Sequence, residues 1–516
     1  MLMPRSIRAK PWSRILLLHV FLISIGHGFT EIPVHNGMKN ALVIVADDAG
    51  FEMGLYNSKC LTPNLDALSK RSLIFNNAYT SVSSCSPSRS TILTGLPNHQ
   101  NGMYGLNNGV HHFTSFRKTA SLSAILAQNG VRTGIIGKKH VGPNEVYPFQ
   151  FSETEENNDI DQVGRNITKI KLLVREFLMQ KTEPFLLYIG FHDPHRCGRR
   201  TPQYGEFCEL FGNKQEGMGN IPDWTPIYYD PEEVHVPYFV QDTPAARQDI
   251  AAQWASMTRL DQGIGLVLKE FEDAGFASNT LILFTSDNGI SFPSGRTNLY
   301  DPGMAEPMLL SSPFETQRHN QITYSMSSLL DVTPTLLDWF GVEHPYGNDA
   351  LTGKSLLPLL IKEPDPFPDD AVFASHSLHE VTMYYPMRAI RTRKHKLIHN
   401  LNFKMPYPID QDFYISPTFQ DLIKRTSSKE PLNWYKNLKN YYYREEWELY
   451  DLKEDPEERW NVYFKSSYQP VVKKLKARLM EWQNKTMDPW ICSPGGVLED
   501  VGKYLDHPSC LPLFNL

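Results

Sequence analysis

The chemistry of this chain is most narrowly limited between Ser83 and Gly95, which read Ser-Ser-Cys-Ser-Pro-Ser-Arg-Ser-Thr-Ile-Leu-Thr-Gly. Pro87 suits the first turn of a helix, where its missing N–H costs nothing, and Gly95 suits a helix end, so the spacing predicts a short helix. Cys85 then stands at a helix N-terminus. Unpaired backbone N–H groups and the helix dipole favour an anion there, and Arg89 adds a fixed positive charge one turn on. A cysteine by itself is as readily a small buried core residue. A thiolate phosphatase would wrap its anion in a longer loop than the three residues between Cys85 and Arg89, which argues against thiol chemistry.

Two more positions offer only oxygen ligands: Asp47-Asp48 and Asp287-Asn288. One such pair is commonly a loop cap. Two pairs at equivalent strand ends point to a hard cation, and with no histidine or cysteine inside either pair, calcium or magnesium fits better than zinc. Lys138 and His140 close the segment from Gly130 to His140, which taken alone is a solvated basic turn or an anion-binding one. His195 follows in His192-Asp193-Pro194-His195, and Arg296 in Pro-Ser-Gly-Arg-Thr-Asn.

These residues need elements to hold them. Ala41 to Ala46 is a continuous apolar run ending in Asp47-Asp48, as expected of a strand buried on both faces. Val131 to Ile136, Phe185 to Phe191 and Leu281 to Phe284 repeat the device and end at Lys138, His192 and Asp287. Between them, Leu122, Ile125 and Leu126, then Ile170, Leu173 and Phe177, then Leu260, Ile264, Val267 and Leu268 have helical spacing, and Thr62-Pro63 reads as the cap of another helix. Strands alternating with helices imply a mostly parallel sheet between helices, with ligands beyond the strands' carboxyl ends. The charged, proline-rich segment from Lys362 to Asp370 marks a boundary. After it come a basic strand from Ala389 to His399, another from Trp447 to Leu452, and a helix with Val471, Val472, Leu475, Leu479 and Trp482 on one face: a smaller α+β domain with an antiparallel sheet. The run from Arg388 to Lys396 is a solvated face or an attractor of sulfated chains.

The chain has 516 residues, 41% hydrophobic and 21% charged, with a net charge of −6. That excludes a strongly basic nucleic-acid binder, so a polyanionic substrate needs a local basic pocket. Protonation of the 17 histidines in an acidic compartment would reduce or reverse the negative charge. Arg5, Arg8, Lys10 and Arg14 precede an apolar run from Ile15 to Ile25 and small residues Gly26 and Gly28, the pattern of a cleaved signal peptide over 1–28, with an uncleaved anchor as the alternative. No other stretch suggests stable membrane insertion. Secretory entry permits disulfides: Cys197 with Cys208, and Cys492 with Cys510, read as local staples, which leaves Cys60 outside any disulfide. Asn166-Ile-Thr168 and Asn484-Lys-Thr486 are glycosylation sequons.

Cys-Ser-Pro-Ser-Arg followed by Leu93-Thr94-Gly95 resembles the signature of the sulfatase family, and Gly130 to His140 resembles its second signature. The resemblance implies an alkaline-phosphatase-like fold, with a catalytic α/β domain over 29–370 and the smaller domain over 371–516. It implies that a formylglycine-generating enzyme oxidises Cys85 to formylglycine, and that Asp47, Asp48, Asp287, Asn288 and residue 85 hold one calcium ion. Arg89, Lys138 and Arg296 would then face sulfuryl oxygens, His140 would act as base and His195 as acid at the leaving group. Many family members carry lysine where Arg296 stands. Asp193, His379 and Glu380 are candidates for binding the sugar or its amine. Ser83 to Gly109, Gly134 to Pro148, His192 to Cys197, Ser286 to Tyr300 and His399 to Phe413 look like family members that remove N-sulfate from glucosamine at the non-reducing end of heparan sulfate in the lysosome. A homodimer is implied as well. The alternatives are a glycosaminoglycan O-sulfatase, more distantly a phosphatase or phosphonate hydrolase, and a secreted glycan-binding protein without turnover.

Overall fold

Asn40–Ala46 (β1) is apolar on both faces and buried along its whole length. Its alternate residues face opposite layers, as the two-residue period of a strand requires. Leu42, Ile44 and Ala46 pack with the helices Ile167–Met179 and Pro244–Asp273, whereas Ala41, Val43 and Val45 pack with residues such as Ile92, Leu336 and Trp339. The remaining strands of its sheet are Leu73–Phe75 (β2), Arg132–Gly137 (β3), Phe151–Thr154 (β4), Phe185–Gly190 (β5), Thr280–Ser286 (β6), Met308–Ser311 (β7) and Gln321–Thr323 (β8). Their order is β4-β3-β5-β1-β6-β7-β2-β8, and β7 alone runs against the others. This large, mostly parallel sheet between helices is the expected alkaline-phosphatase-like arrangement.

Register brings the polar strand ends together. Val45 pairs with Gly190 and Ala46 with Ser286, while Gly137 pairs with Gly190, so β1, β3, β5 and β6 release their following residues along one edge. A Cβ on Gly190 would lie 2.1 Å from the Lys138 carbonyl oxygen and 2.9 Å from Arg89 Nη1, so only glycine lets the chain close here. The helix expected from Pro87 and Gly95 is Cys85–Thr94, capped by Gly95 in the left-handed conformation and buried throughout. The helix after Thr62 also forms, as Pro63–Ser69, but the Thr62 hydroxyl does not cap it and instead accepts the Gly54 N–H at 3.0 Å.

The computed structural model describes residues 39–513 apart from 52, 57–58, 158–161, 181–183, 199–202 and 369; the expected signal peptide over 1–28 lies outside them. Val372–His376 (β9), Met387–Arg391 (β10), His395–Asn400 (β11) and Trp447–Asp451 (β12) form an antiparallel sheet in that order. The helix Gln469–Lys485 covers one face, burying Val472, Leu475, Leu479 and Trp482 against Ile390, Leu397 and Leu449. The other face meets Leu299, Tyr300, Met304 and Met326 of the larger part.

The single basic strand expected from Ala389 to His399 is two strands, because Thr392 and His395 close a tight turn between them. Nor is most of the run a solvated face or a surface for polyanions: Lys394, in the turn, is exposed, but the other charges are largely paired within the protein. Arg388 pairs with Asp488 at 2.5 and 2.7 Å, Arg391 with Asp301 at 2.9 Å and Lys396 with Glu458 at 2.7 Å, all under cover. Both expected disulfides, Cys197–Cys208 and Cys492–Cys510, are formed. Cys60 is outside them, its thiol 3.6 Å from the Trp254 carbonyl.

Candidate active site

Four strand ends and one helix N-terminus converge on Cys85. Asp47 and Asp48 follow β1, Lys138 and His140 follow β3, His192 and His195 follow β5, and Asp287 and Asn288 follow β6. Asp48 and His140 have left-handed backbones, with φ of 60° and 54°, a strain that typically accumulates at functional sites. The Cys85 thiol lies 3.8 Å from Asp48 Oδ1, and burial pushes its pKa well up, so the thiol in this structure is neutral.

Charge alternates through the cluster. Lys138 Nζ is paired with Asp47 Oδ2, and Arg89 reaches Asp287 Oδ2 at 2.8 Å, Asp47 Oδ1 at 3.3 Å and the Lys138 carbonyl at 2.9 Å. Asn288 Nδ2 donates to Asp48 Oδ1 at 2.7 Å. Burial, with repulsion among the carboxylates, raises Asp48 to about 7 and Asp287 to about 8, against the pull of Arg296 and Arg89. The buried oxygen Asn288 Oδ1 accepts no hydrogen bond, and Asp47 Oδ1 has only its ion pair with Arg89. Three buried carboxylates, two of them raised in pKa despite Lys138, Arg89 and Arg296, together with an unpartnered amide oxygen, fit a divalent cation held through oxygen. Atoms of Asp47, Cys85 and Asp287 lie within 4.8 Å of one another. His195 also approaches, but its Nδ1 bonds the Arg196 carbonyl at 2.7 Å and its Nε2 accepts from Arg296 at 2.9 Å, which favours the oxygen set.

The cluster forms the floor of a cavity of about 750 Å3 whose walls include Cys85, Lys138, His140, His195, His379 and Glu380. His140 has both ring nitrogens unpartnered, and burial, then Lys138 and Arg89, hold its pKa well below the usual value. His379 Nδ1 bonds Ser84 Oγ at 2.8 Å, which ties the antiparallel part to the cap of the Cys85 helix. Arg89 and Arg296 are buried behind the cavity rather than lining it, so their donors serve the carboxylates first. The five N–H groups of Arg296 all have acceptors. Nη1 serves Asp48 at 2.5 Å and His195 at 2.9 Å, Nη2 serves Asp412 and Asp410, and Nε serves Asp410 at 3.3 Å. A lysine in its place could not satisfy this set.

Asp193 is not on the cavity wall, which corrects its expected part in binding substrate. Its carboxylate is fully buried and held by Arg165 at 2.5 Å and by Arg259 at 2.7 and 2.8 Å, so both oxygens are occupied inside the protein. The clamp fixes the backbone between His192 and His195. Asp193→Asn leaves two buried guanidiniums short of charge and is expected to cost about 3–5 kcal/mol, read as a lower midpoint of thermal unfolding.

Sequence reasoning missed His192, Asp410 and Asp412. His192 bonds Glu155 at 2.8 Å and lies 3.7 Å from Asp47, and it could have been found from the strand-end logic that picked His195. Asp410, whose side chain caps the helix Gln411–Tyr414, and Asp412 come from the segment between β11 and β12, where no strand end announced them. Of the sequons, Asn166 caps Ile167–Met179 by accepting the Lys169 N–H, and Asn484 is exposed.

The sulfatase family pattern matches residues 39–342, and this chain belongs to that family. It is a sulfatase-family hydrolase. A second pattern, the N-sulphoglucosamine sulphohydrolase C-terminal region, matches 295–410 and 412–485. Human N-sulphoglucosamine sulphohydrolase is 59% identical over 485 residues, which are 92% of this chain and 95% of that one. Among solved structures, a putative sulfatase from Bacteroides thetaiotaomicron superposes with a TM-score of 0.61 at 19% identity, covering 88% of this chain and 94% of that one. A phosphonate monoester hydrolase of Agrobacterium radiobacter gives 0.58 at 17% identity, covering 92% and 99%. The last two share the fold.

Proposed function

We propose that this chain removes the N-sulfate of glucosamine at the non-reducing end of heparan sulfate, in the lysosome. The observation that carries the reading is Cys85 at a helix N-terminus inside a cluster of oxygen ligands, in a chain so similar to the human N-sulphoglucosamine sulphohydrolase. Asp47, Asp48, Asp287, Asn288 and residue 85 would hold one calcium ion. When present, the ion and a formylglycine made from Cys85 by the formylglycine-generating enzyme supply Lewis acidity and a hydroxyl nucleophile.

The chain's own residues account for the rest. Lys138, on the cavity wall, balances charge on the sulfuryl oxygens. Arg89 and Arg296 keep the buried carboxylates in place. His140, neutral with two open nitrogens, can take a proton at residue 85. His195 is anchored through Nδ1, so Nε2, which accepts from Arg296 at 2.9 Å in this structure, is the atom that would exchange that contact for one with the leaving amine. A pocket of about 750 Å3 lined by polar side chains suits a sugar at a chain end. The reading includes a catalytic part over 29–370 and a smaller part over 371–516, glycans on Asn166 and Asn484, and a homodimer. Among the described residues no helix is long and apolar enough to cross a membrane.

The test is sulfate release at acidic pH from two short saccharides, one N-sulfated at the terminal glucosamine and one bearing only 6-O-sulfate there. Release from the first is expected. Release from the second alone would reassign the substrate to an O-sulfate.

A further inference from the structure

Asp412 is the carboxylate that stands between the residues of the smaller part and the reacting centre. It follows Asp410, the cap of Gln411–Tyr414, and both grip Arg296. Asp412 gives Oδ1 to Arg296 Nη2. Its Oδ2 lies 3.8 Å from His195 Nε2, and the residue forms part of the cavity wall. His195 in turn has an atom within 4.8 Å of both the Cys85 thiol and Asp48. In the proposed reaction His195 protonates the leaving atom, which places that atom on the His195–Asp412 side. Glu380 also lines the cavity, yet neither Arg296 nor His195 holds its carboxylate.

We infer that Asp412 Oδ2 is the acceptor that selects a sulfamate nitrogen over an ester oxygen. The inference rests on the N-sulfate reading above. A sulfamate nitrogen carries an N–H that can donate to Oδ2, and it gains further N–H donors as it leaves as an amine. The bridging oxygen of a sulfate ester has lone pairs only, which face a carboxylate without a proton between them. A site built to accept a substrate N–H rejects the analogue lacking it, because its own polar group is then left unpaired. Arg296 fixes which oxygen faces the cavity, so Asp412 is a specificity-determining residue and Asp410 a positioning residue.

The sharp variant is Asp412→Asn. Arg296 Nη2 donates, so it takes the oxygen of the new amide and turns the NH2 group toward the cavity, converting an acceptor into a donor. The readout is the ratio of kcat/KM for the N-sulfated saccharide to that for its 6-O-sulfated counterpart, which does not depend on how much variant folds. The ratio is expected to fall by about 10- to 100-fold. Asp410 also lines the cavity, but both its oxygens face Arg296, so Asp410→Asn loosens Arg296 without changing Asp412 Oδ2, and it is expected to lower both rates with the ratio within about twofold of the parent. If Asp412→Asn leaves the ratio unchanged, or Asp410→Asn shifts it as far, the inference is wrong while the N-sulfate reading stands. A parent protein that releases only 6-O-sulfate overturns both.

Discussion

Cys85→Ala is expected to abolish sulfate release, by about 10^4-fold or more, because it removes the atom on which the proposed nucleophile is built. The thiol itself has no comparable route. It is buried, neutral and surrounded by Asp47, Asp48 and Asp287, each of which opposes a negative charge on sulfur. Cys85→Ser separates the proposed chemistry from a plain hydroxyl: serine has one oxygen, so a sulfate it accepted would have no second hydroxyl to expel it. Sulfate release over many turnovers, with the mass of the peptide around residue 85 measured alongside, checks both variants. Full activity in either would end the formylglycine reading.

Chelation, or Asp287→Asn, is expected to have the next largest effect, about 10^3-fold in rate, since several kcal/mol of transition-state stabilisation come from a metal acting on the sulfuryl group. The loss also has a pH signature in stability. Without a cation, Asp48 is raised from 3.8 to about 7 and Asp287 from 3.8 to about 8, both by burial first. The folded state then holds protons that the unfolded chain gives up. The contribution of these two groups to metal-free stability is therefore fully present below about pH 4 and is lost as pH rises toward 7 and 8, by at most about 1.4 kcal/mol per pH unit for each carboxylate. Buried histidines such as His140 and His195 act in the opposite direction over the same range, so the readout is the difference in thermal midpoint between calcium-loaded and chelated protein, which should widen from pH 4 to 8. A difference that stays constant over that range would show that the carboxylates are balanced without a cation.

Much of this site was legible because a strand buried on both faces must be apolar until it leaves the sheet, so the first polar residues beyond it mark the ligand edge. Asp47, Lys138, His195 and Asp287 were found that way, and Cys85 from the proline and glycine that bracket its helix. The same rule misled at Asp193, which has the right position but turns inward to Arg165 and Arg259, partners that no local pattern connects to it. It was also silent on Asp410 and Asp412. Their role depends on Arg296, more than a hundred residues earlier, and on an antiparallel sheet that folds back over the larger part. The basic run around Arg391 was misread for a related reason: its counter-charges, Asp301, Glu458 and Asp488, are remote in sequence and near in space.

The grip on Arg296 sets an order of events for a chain made from its N-terminus. Asp48 and His195 exist early and Arg296 follows, but Asp410 and Asp412, which take three of its five N–H groups, emerge late. Until they arrive, the nascent polypeptide carries a guanidinium that its final neighbours have only partly neutralised, next to carboxylates destined for burial. A product cut short before residue 410 would thus retain the Cys85 motif and most of the parallel sheet, yet leave a charged seam open to water and to any machinery that surveys incomplete proteins.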